Sequence, residues 1–275
     1  MSSTAQISSA SPDRVAELRE SLAEVKARVQ KASASSQAAT LVAVSKLKPA
    51  SDIAACYELG QRDFGENYVQ ELEEKAAELQ MPDIRWHFIG TLQSNKAKIL
   101  ASIPNIYAIQ TVTSAKTATA LNKHVPLNRA SPLNVLLQVN TSGEDNKSGV
   151  PPLSPGHPNA EAELTQLALR IIKDCPRLHL QGLMTIGALT ESLASGEHEN
   201  HDFVALKQTR DLLQEILQTE FPAESGRWGV DGRLLLSMGM SSDFEAALKA
   251  GSDIVRVGTS IFGTRPKKVA AVTSS

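Results

Sequence analysis

The chain has 275 residues and a mass of 29.5 kDa, of which 41% are apolar and 21% are charged. This ordinary globular composition excludes collagen-like, coiled-coil and wholly disordered proteins. The formal net charge is −2 and the pI is near 6.3, so the overall charge favours neither nucleic acid nor an anionic membrane as a partner. An anion site would have to be local.

The sequence shows no pattern of a targeting signal, a membrane span or metal-binding cysteines. Residues 1–12 are rich in Ser and Ala and lack the apolar stretch of a signal peptide, so we expect a flexible tail there. No apolar run reaches the roughly 20 residues that a membrane span needs. Cys56 and Cys175 fit neither a disulfide framework nor zinc-ligand spacing, which indicates a reducing compartment. We expect a cytoplasmic monomer that binds neither nucleic acid nor membrane, with mitochondrial association left open.

Short β-rich runs alternate with longer amphipathic segments along the chain. The strands are predicted at 41–46, 63–66, 85–90, 106–111, 134–140, 180–187, 234–240 and 254–262. The helices are predicted at 13–31, 50–59, 67–79, 114–124, 160–175, 202–218 and 243–250. Nearly continuous apolar strands that are separated by helices imply parallel pairing, because a parallel strand is covered on both faces and needs a crossover helix.

Eight such units in about 250 residues predict a single-domain (β/α)8 TIM barrel over residues 13–265, followed by a flexible tail at 266–275. A doubly wound open sheet is the alternative. The first strand is not followed by the G-x-G-x-x-G pattern of dinucleotide-binding sheets, which argues against that alternative. Segment 142–159 is rich in Pro, Gly and Ser, and we expect it to be a mobile loop after the fifth strand.

The first predicted strand ends in a lysine. Its alternation places Val42, Val44 and Lys46 on one face, so Lys46 would point into the barrel mouth, where barrel enzymes have their active sites. The competing interpretation is a solvated lysine, as we expect for Lys48 before Pro49.

Small residues follow the last two predicted strands. Ser241 and Ser242 precede a helix, and Gly258 and Thr259 follow Arg256 in the eighth run. Barrel enzymes often bind phosphate at these loops through backbone amides and hydroxyl groups. Turn formation alone would explain these small residues equally well.

A lysine that faces a phosphate site suggests pyridoxal 5′-phosphate (PLP), whose aldehyde forms a Schiff base with lysine. Arg256 lies two residues before Gly258 and therefore on the same strand face. An arginine beside the pyridine nitrogen would keep that nitrogen unprotonated and the ring a weak electron sink. Aminotransferases place a carboxylate there instead.

Six motifs occur together in this order: AVSK at 43–46, FGENYVQE at 64–71, WHFIGTLQSNK at 86–96, GLMTIG at 182–187, LSMGMSSDFEAAL at 236–248 and VRVGTSIFG at 255–263. As a set they resemble the pyridoxal phosphate homeostasis protein family over about residues 41–265. The resemblance implies one barrel similar to the N-terminal domain of alanine racemase, with PLP on the lysine of the first motif. It also implies no enzymatic turnover and a role in intracellular PLP (vitamin B6) homeostasis.

The resemblance assigns roles to matching positions. Lys46 would carry PLP as a Schiff base, Asn67 would line the cofactor and Arg256 would face the ring nitrogen. The remaining expected site residues are His87, Asn95 and Met184 around the mouth, and Ser237, Ser241, Gly258 and Thr259 around the phosphate. No metal is expected, and the expected partners besides PLP are free amino acids and cofactor-requiring apoenzymes.

Two enzymatic alternatives stay open. A PLP-dependent amino-acid racemase needs two opposed bases, of which alanine racemase draws one tyrosine from a second domain that we expect to be absent here. A phosphosugar enzyme could use Lys46 with Glu66 as an acid or base, but it would not explain Arg256. His87 within an apolar strand is a general base or, more commonly, a structural residue. The charged run 71–78 is expected to be a solvated helix face.

Overall fold

The computed structural model of the chain describes residues 9–33, 39–144, 147–157, 159–188, 191, 199–221 and 226–264. Within these ranges eight strands form one closed barrel in sequence order, and every neighbouring pair is parallel. The strands are β1 (Thr40–Val44), β2 (Asp63–Glu66), β3 (Arg85–Phe88), β4 (Ile106–Val112), β5 (Leu133–Gln138), β6 (Leu178–Met184), β7 (Leu235–Ser237) and β8 (Ile254–Val257). The predicted TIM barrel is confirmed, and the open-sheet alternative is wrong.

Helices cover the outside of the barrel. They are α1 (Pro12–Ala32), α2 (Ala50–Glu58), α3 (Val69–Glu78), α4 (Ala97–Ser102), α5 (Ala115–His124), α6 (Glu163–Asp174), α7 (His201–Glu220), α8 (Phe244–Lys249) and α9 (Thr259–Phe262). Short 3₁₀ helices occur at Ser94–Lys96 and Asn159–Glu161. All seven predicted helices are present within a few residues, whereas the short helices α4 and α9 were not predicted.

The last predicted strand, 254–262, is too long. The β8 ladder ends at Val257, and Gly258 leads directly into α9. Ile261 and Phe262 are adjacent and both buried, which a helix end allows but an alternating half-buried strand does not. The first predicted strand is also too long at its end, because the chain turns after Val44.

Alternation along the strands separates two apolar layers. Leu41 and Ala43 face the helices and belong to the main core between barrel and helices. Val42 lies on the opposite face, inside the barrel. The interior cluster consists of Val42, Ala108, Leu136, Met184 and Ile254.

Helix α1 completes the helical layer. The last helix, α9, has only four residues and is too short to cover the strands where the barrel closes. α1 packs against α2, α8 and α9 instead. Its buried face consists of Leu18, Leu22, Val25 and Val29. Arg14 of α1 donates to the Asp52 carboxylate at 2.6 Å and to the Phe262 carbonyl at 2.9 Å. These two bonds connect α2, near the start of the barrel, with α9 at its end.

The segment predicted as a mobile loop is anchored at its centre. Val150 forms a parallel bridge with Val139, and its N–H donates to the Gln138 carbonyl at 2.9 Å. Val150 and Leu153 are buried. Residues 145, 146 and 158 of this segment lie outside the described ranges, and the mobility of the loop stays a prediction.

The tail and domain boundaries are only partly covered. Ser11 caps α1 by accepting from the Arg14 N–H, and the helix begins at Pro12, one residue before the predicted start. Residues 1–8 and 265–275 lie outside the described ranges. In the part of the chain that the structure covers, no helix combines the length and apolarity that a membrane crossing requires.

We expect Leu22→Ala to lower the free energy of unfolding by about 2–5 kcal/mol, because it leaves a cavity under the helix that covers the barrel closure. Urea denaturation followed by circular dichroism measures this change. Glu20→Ala on the exposed face of α1 is the matched control and should stay within about 0.5 kcal/mol of the wild type. Equal stabilities of the two variants would show that α1 contributes little to the barrel.

Candidate functional site

A cavity of about 430 Å³ lies at the carboxyl ends of the strands. Six of the residues that line it were predicted from the sequence: Lys46, Asn67, Ser241, Arg256, Gly258 and Thr259. Val44 and Ser242 were placed beside predicted site residues by the sequence but were not assigned to the site, and Ile89, Ile186 and Met240 were not predicted. Ile89 and Ile186 lie near the carboxyl ends of predicted strands, where barrel active sites form, and this position could have identified them as cavity residues.

Lys46 reaches the cavity from a tight turn that follows β1. Val44 and Lys46 both line the cavity, as the strand alternation predicts. The Lys48 N–H donates to the Ser45 carbonyl at 3.0 Å, and Leu47 has a φ of 60°. This left-handed conformation usually requires Gly or Asn at the third position of such a turn. The turn therefore carries backbone strain that neighbouring contacts must offset.

Lys48 points elsewhere. Its Nζ donates to the carbonyl oxygens of Phe262 at 2.8 Å and Thr264 at 2.9 Å. Burial is the main cause that lowers the pKa of Lys48, and the charge of Arg14 acts in the same direction. Lys46 and Lys48 therefore have separate surroundings, and only Lys46 lines the cavity.

A buried charge cluster supports the turn from outside the barrel wall. Lys75 of α3 donates to Glu66 at 2.7 Å, to Glu71 at 2.6 Å and to the Ser45 carbonyl at 2.8 Å. The Ser45 hydroxyl donates to Glu66 at 2.7 Å, and the Leu47 N–H donates to Glu71 at 2.6 Å. These contacts fix the backbone on both sides of Lys46.

This cluster corrects two expectations. The run 71–78 is not uniformly solvated, because Lys75 is buried and pairs with two carboxylates. Glu66 is fully buried against α3 and is not among the cavity-lining residues, so it does not face Lys46 as an acid or base. Burial raises the pKa of Glu66, and the hydrogen bonds from Lys75 and Ser45 offset only part of that rise.

Arg256 forms the floor of the cavity. Its side chain is buried, with Nη1 donating to the Ser237 hydroxyl at 2.6 Å and Nη2 donating to the Thr185 carbonyl at 2.7 Å. Burial lowers the pKa of Arg256 to about 10, while the charge of Asp243 opposes that decrease. Arg256 is therefore still a cation at neutral pH.

The loops after β7 and β8 are joined at one wall of the cavity. The Gly258 N–H donates to the Ser241 hydroxyl oxygen at 3.2 Å, so the Ser241 proton is available to a ligand. Gly258 lies so close to β1 that a Cβ there would be 3.2 Å from the Val44 carbonyl oxygen. Thr259 opens α9, where amide groups have no acceptor within the helix.

Asn67 is held at the mouth by backbone packing. A Cβ at Gly90 would be 1.9 Å from the Asn67 carbonyl oxygen, so only glycine allows this approach. The side-chain Oδ1 of Asn67 is buried and has no hydrogen-bond partner within the described structure. A buried acceptor without a partner is costly, which suits a position that a ligand completes.

Four expected site residues lie away from the cavity surface. His87, Met184 and Ser237 are fully buried and are not among the lining residues, because Met184 packs in the interior apolar cluster and the two polar side chains bond to buried neighbours. Asn95 is exposed in the 3₁₀ turn after β3. Ser237 instead contacts Arg256, and His87 lies between Asp63 and Gln110. Their direct contact with a cofactor stays a prediction.

Metal binding finds no support in the described ranges, which contain no cluster of three or more His, Cys, Asp or Glu side chains placed to hold an ion. The site instead combines a lysine, a buried guanidinium and hydroxyl-bearing loops at the mouth of a TIM barrel. This combination defines a small-molecule-binding barrel of the alanine racemase type. In agreement, residues 21–266 match the family model described as "Alanine racemase, N-terminal domain".

Two relatives match most of the chain. It is 42% identical over 242 residues to the pyridoxal phosphate homeostasis protein of Schizosaccharomyces pombe, covering 88% of this chain and 90% of that protein. It is 44% identical over 241 residues to that of Caenorhabditis elegans, covering 86% and 90%. The chain therefore belongs to the pyridoxal phosphate homeostasis protein family.

Solved structures give the same fold. PipY of Synechococcus elongatus, solved with PLP bound, has 30% identity and a TM-score of 0.67, with coverage of 90% of this chain and 100% of PipY. Alanine racemase from Corynebacterium glutamicum has a TM-score of 0.63 at 15% identity, with coverage of 93% of this chain and 63% of the racemase. The second similarity shows a shared fold alone.

We expect Lys75→Met to lower the free energy of unfolding by about 3–5 kcal/mol, because Glu66 would lose its buried counter-charge. The raised pKa of Glu66 means that the folded state binds its proton more tightly than the unfolded state does. The loss should therefore be smaller near pH 5 than near pH 8. Urea denaturation at both pH values tests this expectation.

Lys98→Met, at an exposed position, is the control and should change stability little at either pH. The double variant Glu66→Gln/Lys75→Met should recover part of the loss, since it removes the fully buried charge that Lys75→Met leaves unpaired and keeps only the more exposed Glu71 without its lysine. A Lys75→Met loss that is independent of pH would contradict the proposed role of Glu66.

Proposed function

We propose that this chain binds PLP in the cavity at the barrel mouth and takes part in intracellular PLP homeostasis without turning over amino acids. The observation that carries the proposal is the convergence of Lys46, Arg256 and Ser241 on one cavity of about 430 Å³. The names of the relatives and the PLP-bound PipY structure support the same ligand.

The residues present suit the chemical groups of PLP. When bound, PLP supplies an aldehyde that condenses with an amine, and Lys46 is the lysine in the cavity wall. Asn67 offers its unpartnered Oδ1 to a donor such as the ring hydroxyl. Arg256 offers a donor-only cation to the ring nitrogen.

The phosphate would be held by the joined loops after β7 and β8. Ser241 can donate its hydroxyl proton, because its oxygen already accepts from Gly258. Thr259 adds a backbone amide at the start of α9. Gly258 contributes mainly by allowing the loop to approach β1, since its own N–H is engaged by Ser241.

Two features oppose catalysis. Arg256 is a cation and would leave the ring nitrogen unprotonated, so the ring would stabilise a carbanion poorly. Racemisation also needs a base opposite Lys46, and none of the three tyrosines, all within the described ranges, lines the cavity. Tyr68 is exposed, Tyr57 contacts Asp83 and Tyr107 packs beside His87.

The position of Lys46 also suits release of the cofactor to other molecules. A lysine at an open barrel mouth is accessible to free amino acids, which could displace the cofactor from Lys46 and release it. Apoenzymes that require PLP are the recipients this role needs. We propose that the protein acts as a monomer in the cytoplasm.

Borohydride reduction of the PLP-loaded protein should attach the cofactor to Lys46 alone, because Lys48 is directed to the carbonyls of Phe262 and Thr264. Peptide mapping by mass spectrometry identifies the labelled lysine. Lys48→Arg is the matched control and should keep the label, whereas Lys46→Ala should lose it. A label on Lys48 in the wild type would refute the assignment.

Incubation of the PLP-loaded protein with alanine or serine in deuterated water should give no Cα exchange or racemisation above the free-PLP background. The physical reason is the unprotonated ring nitrogen, together with the lack of a tyrosine base among the cavity-lining residues that the structure describes. Proton NMR and chiral chromatography measure exchange and racemisation. Activity above background that disappears in Lys46→Ala would favour a racemase-like enzyme instead.

A further inference from the structure

A line of buried polar side chains begins at Arg256 on the cavity floor and crosses the barrel interior. The Arg256 guanidinium donates to Ser237 Oγ at 2.6 Å, and Ser237 Oγ donates to Gln110 Oε1 at 2.7 Å. Gln110 Nε2 is 3.0 Å from His87 Nδ1, and His87 Nε2 is 2.9 Å from Asp63 Oδ1. We call these five residues the interior chain. All five are buried.

The two ends of the interior chain fix the direction of every hydrogen bond in it. A guanidinium can only donate, so Ser237 Oγ accepts from Arg256 and gives its single proton to Gln110. The Gln110 amide must then present Nε2 to His87, whose Nδ1 has to be an unprotonated acceptor. His87 therefore carries its proton on Nε2 and donates it to Asp63.

The far end of the interior chain is a carboxylate, which can only accept. Arg85 donates to both oxygens of Asp63, at 2.8 and 2.5 Å. Burial raises the pKa of Asp63, but the hydrogen bonds from His87 and Arg85 outweigh burial and hold the pKa below its usual value. Asp63 is thus ionised at neutral pH and requires a proton on His87 Nε2.

A reversed Gln110 amide would break this pattern. Gln110 Oε1 would then face His87 Nδ1, which would need a proton in addition to the one on Nε2. Ser237 Oγ would receive two donors, from Arg256 and Gln110, and its own proton would have no acceptor within the interior chain. When every hydrogen bond runs from Arg256 toward Asp63, each of the four bonds has one donor proton and one acceptor.

We propose that Ser237, Gln110 and His87 are positioning residues that hold the Arg256 guanidinium in place, so that this donor-only group meets an unprotonated acceptor of the ligand at the cavity floor. The chain anchors one side of the guanidinium and leaves the cation presented to the cavity. An aromatic nitrogen with a lone pair fits that position, whereas a C–H or N–H group does not. The identity of the ligand rests on the proposed function, but the direction of the hydrogen bonds in the interior chain does not.

The first experiment uses the ligand-free protein. NMR spectroscopy of ¹⁵N-histidine-labelled protein at neutral pH should show His87 as the neutral Nε2–H tautomer, with an acceptor-type Nδ1 signal. The His87 signals are assigned by their loss in His87→Gln. A doubly protonated ring or an Nδ1–H tautomer would overturn the one-way chain.

The second experiment compares PLP with the analogue in which a C–H group replaces the ring nitrogen. The wild type should bind PLP at least about tenfold more tightly than the analogue, a preference of 1.4 kcal/mol. Ser237→Ala and Gln110→Met should lose most of that preference, because the first removes the anchor of Arg256 Nη1 and the second removes the support of that anchor, which leaves only the Thr185 carbonyl to hold the guanidinium firmly. A merely structural defect would weaken both compounds alike and leave their ratio unchanged.

Gln138→Met is the matched control, since Gln138 is a buried glutamine that donates to the Ser148 carbonyl and not to the interior chain. It should keep the wild-type preference. Full retention of the preference in Ser237→Ala or in Gln110→Met would refute the positioning role. A wild type that binds neither compound would refute PLP binding, while the histidine tautomer would still decide the direction of the chain.

Discussion

Arg256 places a guanidinium inside the barrel, where an unpaired charge would cost several kcal/mol in desolvation. The surrounding strands supply the compensation: the Ser237 hydroxyl from β7 and the Thr185 carbonyl beyond β6 accept its protons. Gln110 on β4 in turn accepts from Ser237. The interior is therefore divided between this polar line and an apolar cluster around Val42, and both depend on the register that barrel closure imposes.

A second charged group lies on the other side of β1. Glu66, Glu71 and Lys75 hold the backbone around Lys46 from the helical layer, while the Lys46 side chain enters the cavity. One strand wall thus separates two sets of buried charges. The outer set fixes the backbone position of Lys46, and the inner set holds the Arg256 guanidinium that faces a ligand in the cavity.

Local periodicity was sufficient to predict the eight strands, because parallel strands need apolar residues on both faces. It also placed Lys46 and Arg256 at the cavity, since both assignments use alternation within one strand. Strand ends were missed where turns begin, as at Ser45 and Gly258. The interior chain was not predictable in this way, because its contacts join β2, β3, β4, β7 and β8 through the barrel register. The buried role of Lys75 was hidden by the charged sequence around it, which is typical of a solvated helix.

Helix α1 packs against α2, α8 and α9, which come from opposite ends of the described barrel, as do the paired strands β1 and β8. During translation α1 is made before any strand, and its partners α8 and α9 are made last. Early in synthesis its apolar face of Leu18, Leu22, Val25 and Val29 therefore has only α2 as a neighbouring helix, and it is fully covered once α8 and α9 have been made. Contacts of such long sequence separation slow folding, because a long loop must close before they form. The same geometry brings the two ends of the barrel together, so joining them and opening a loop elsewhere should preserve the fold.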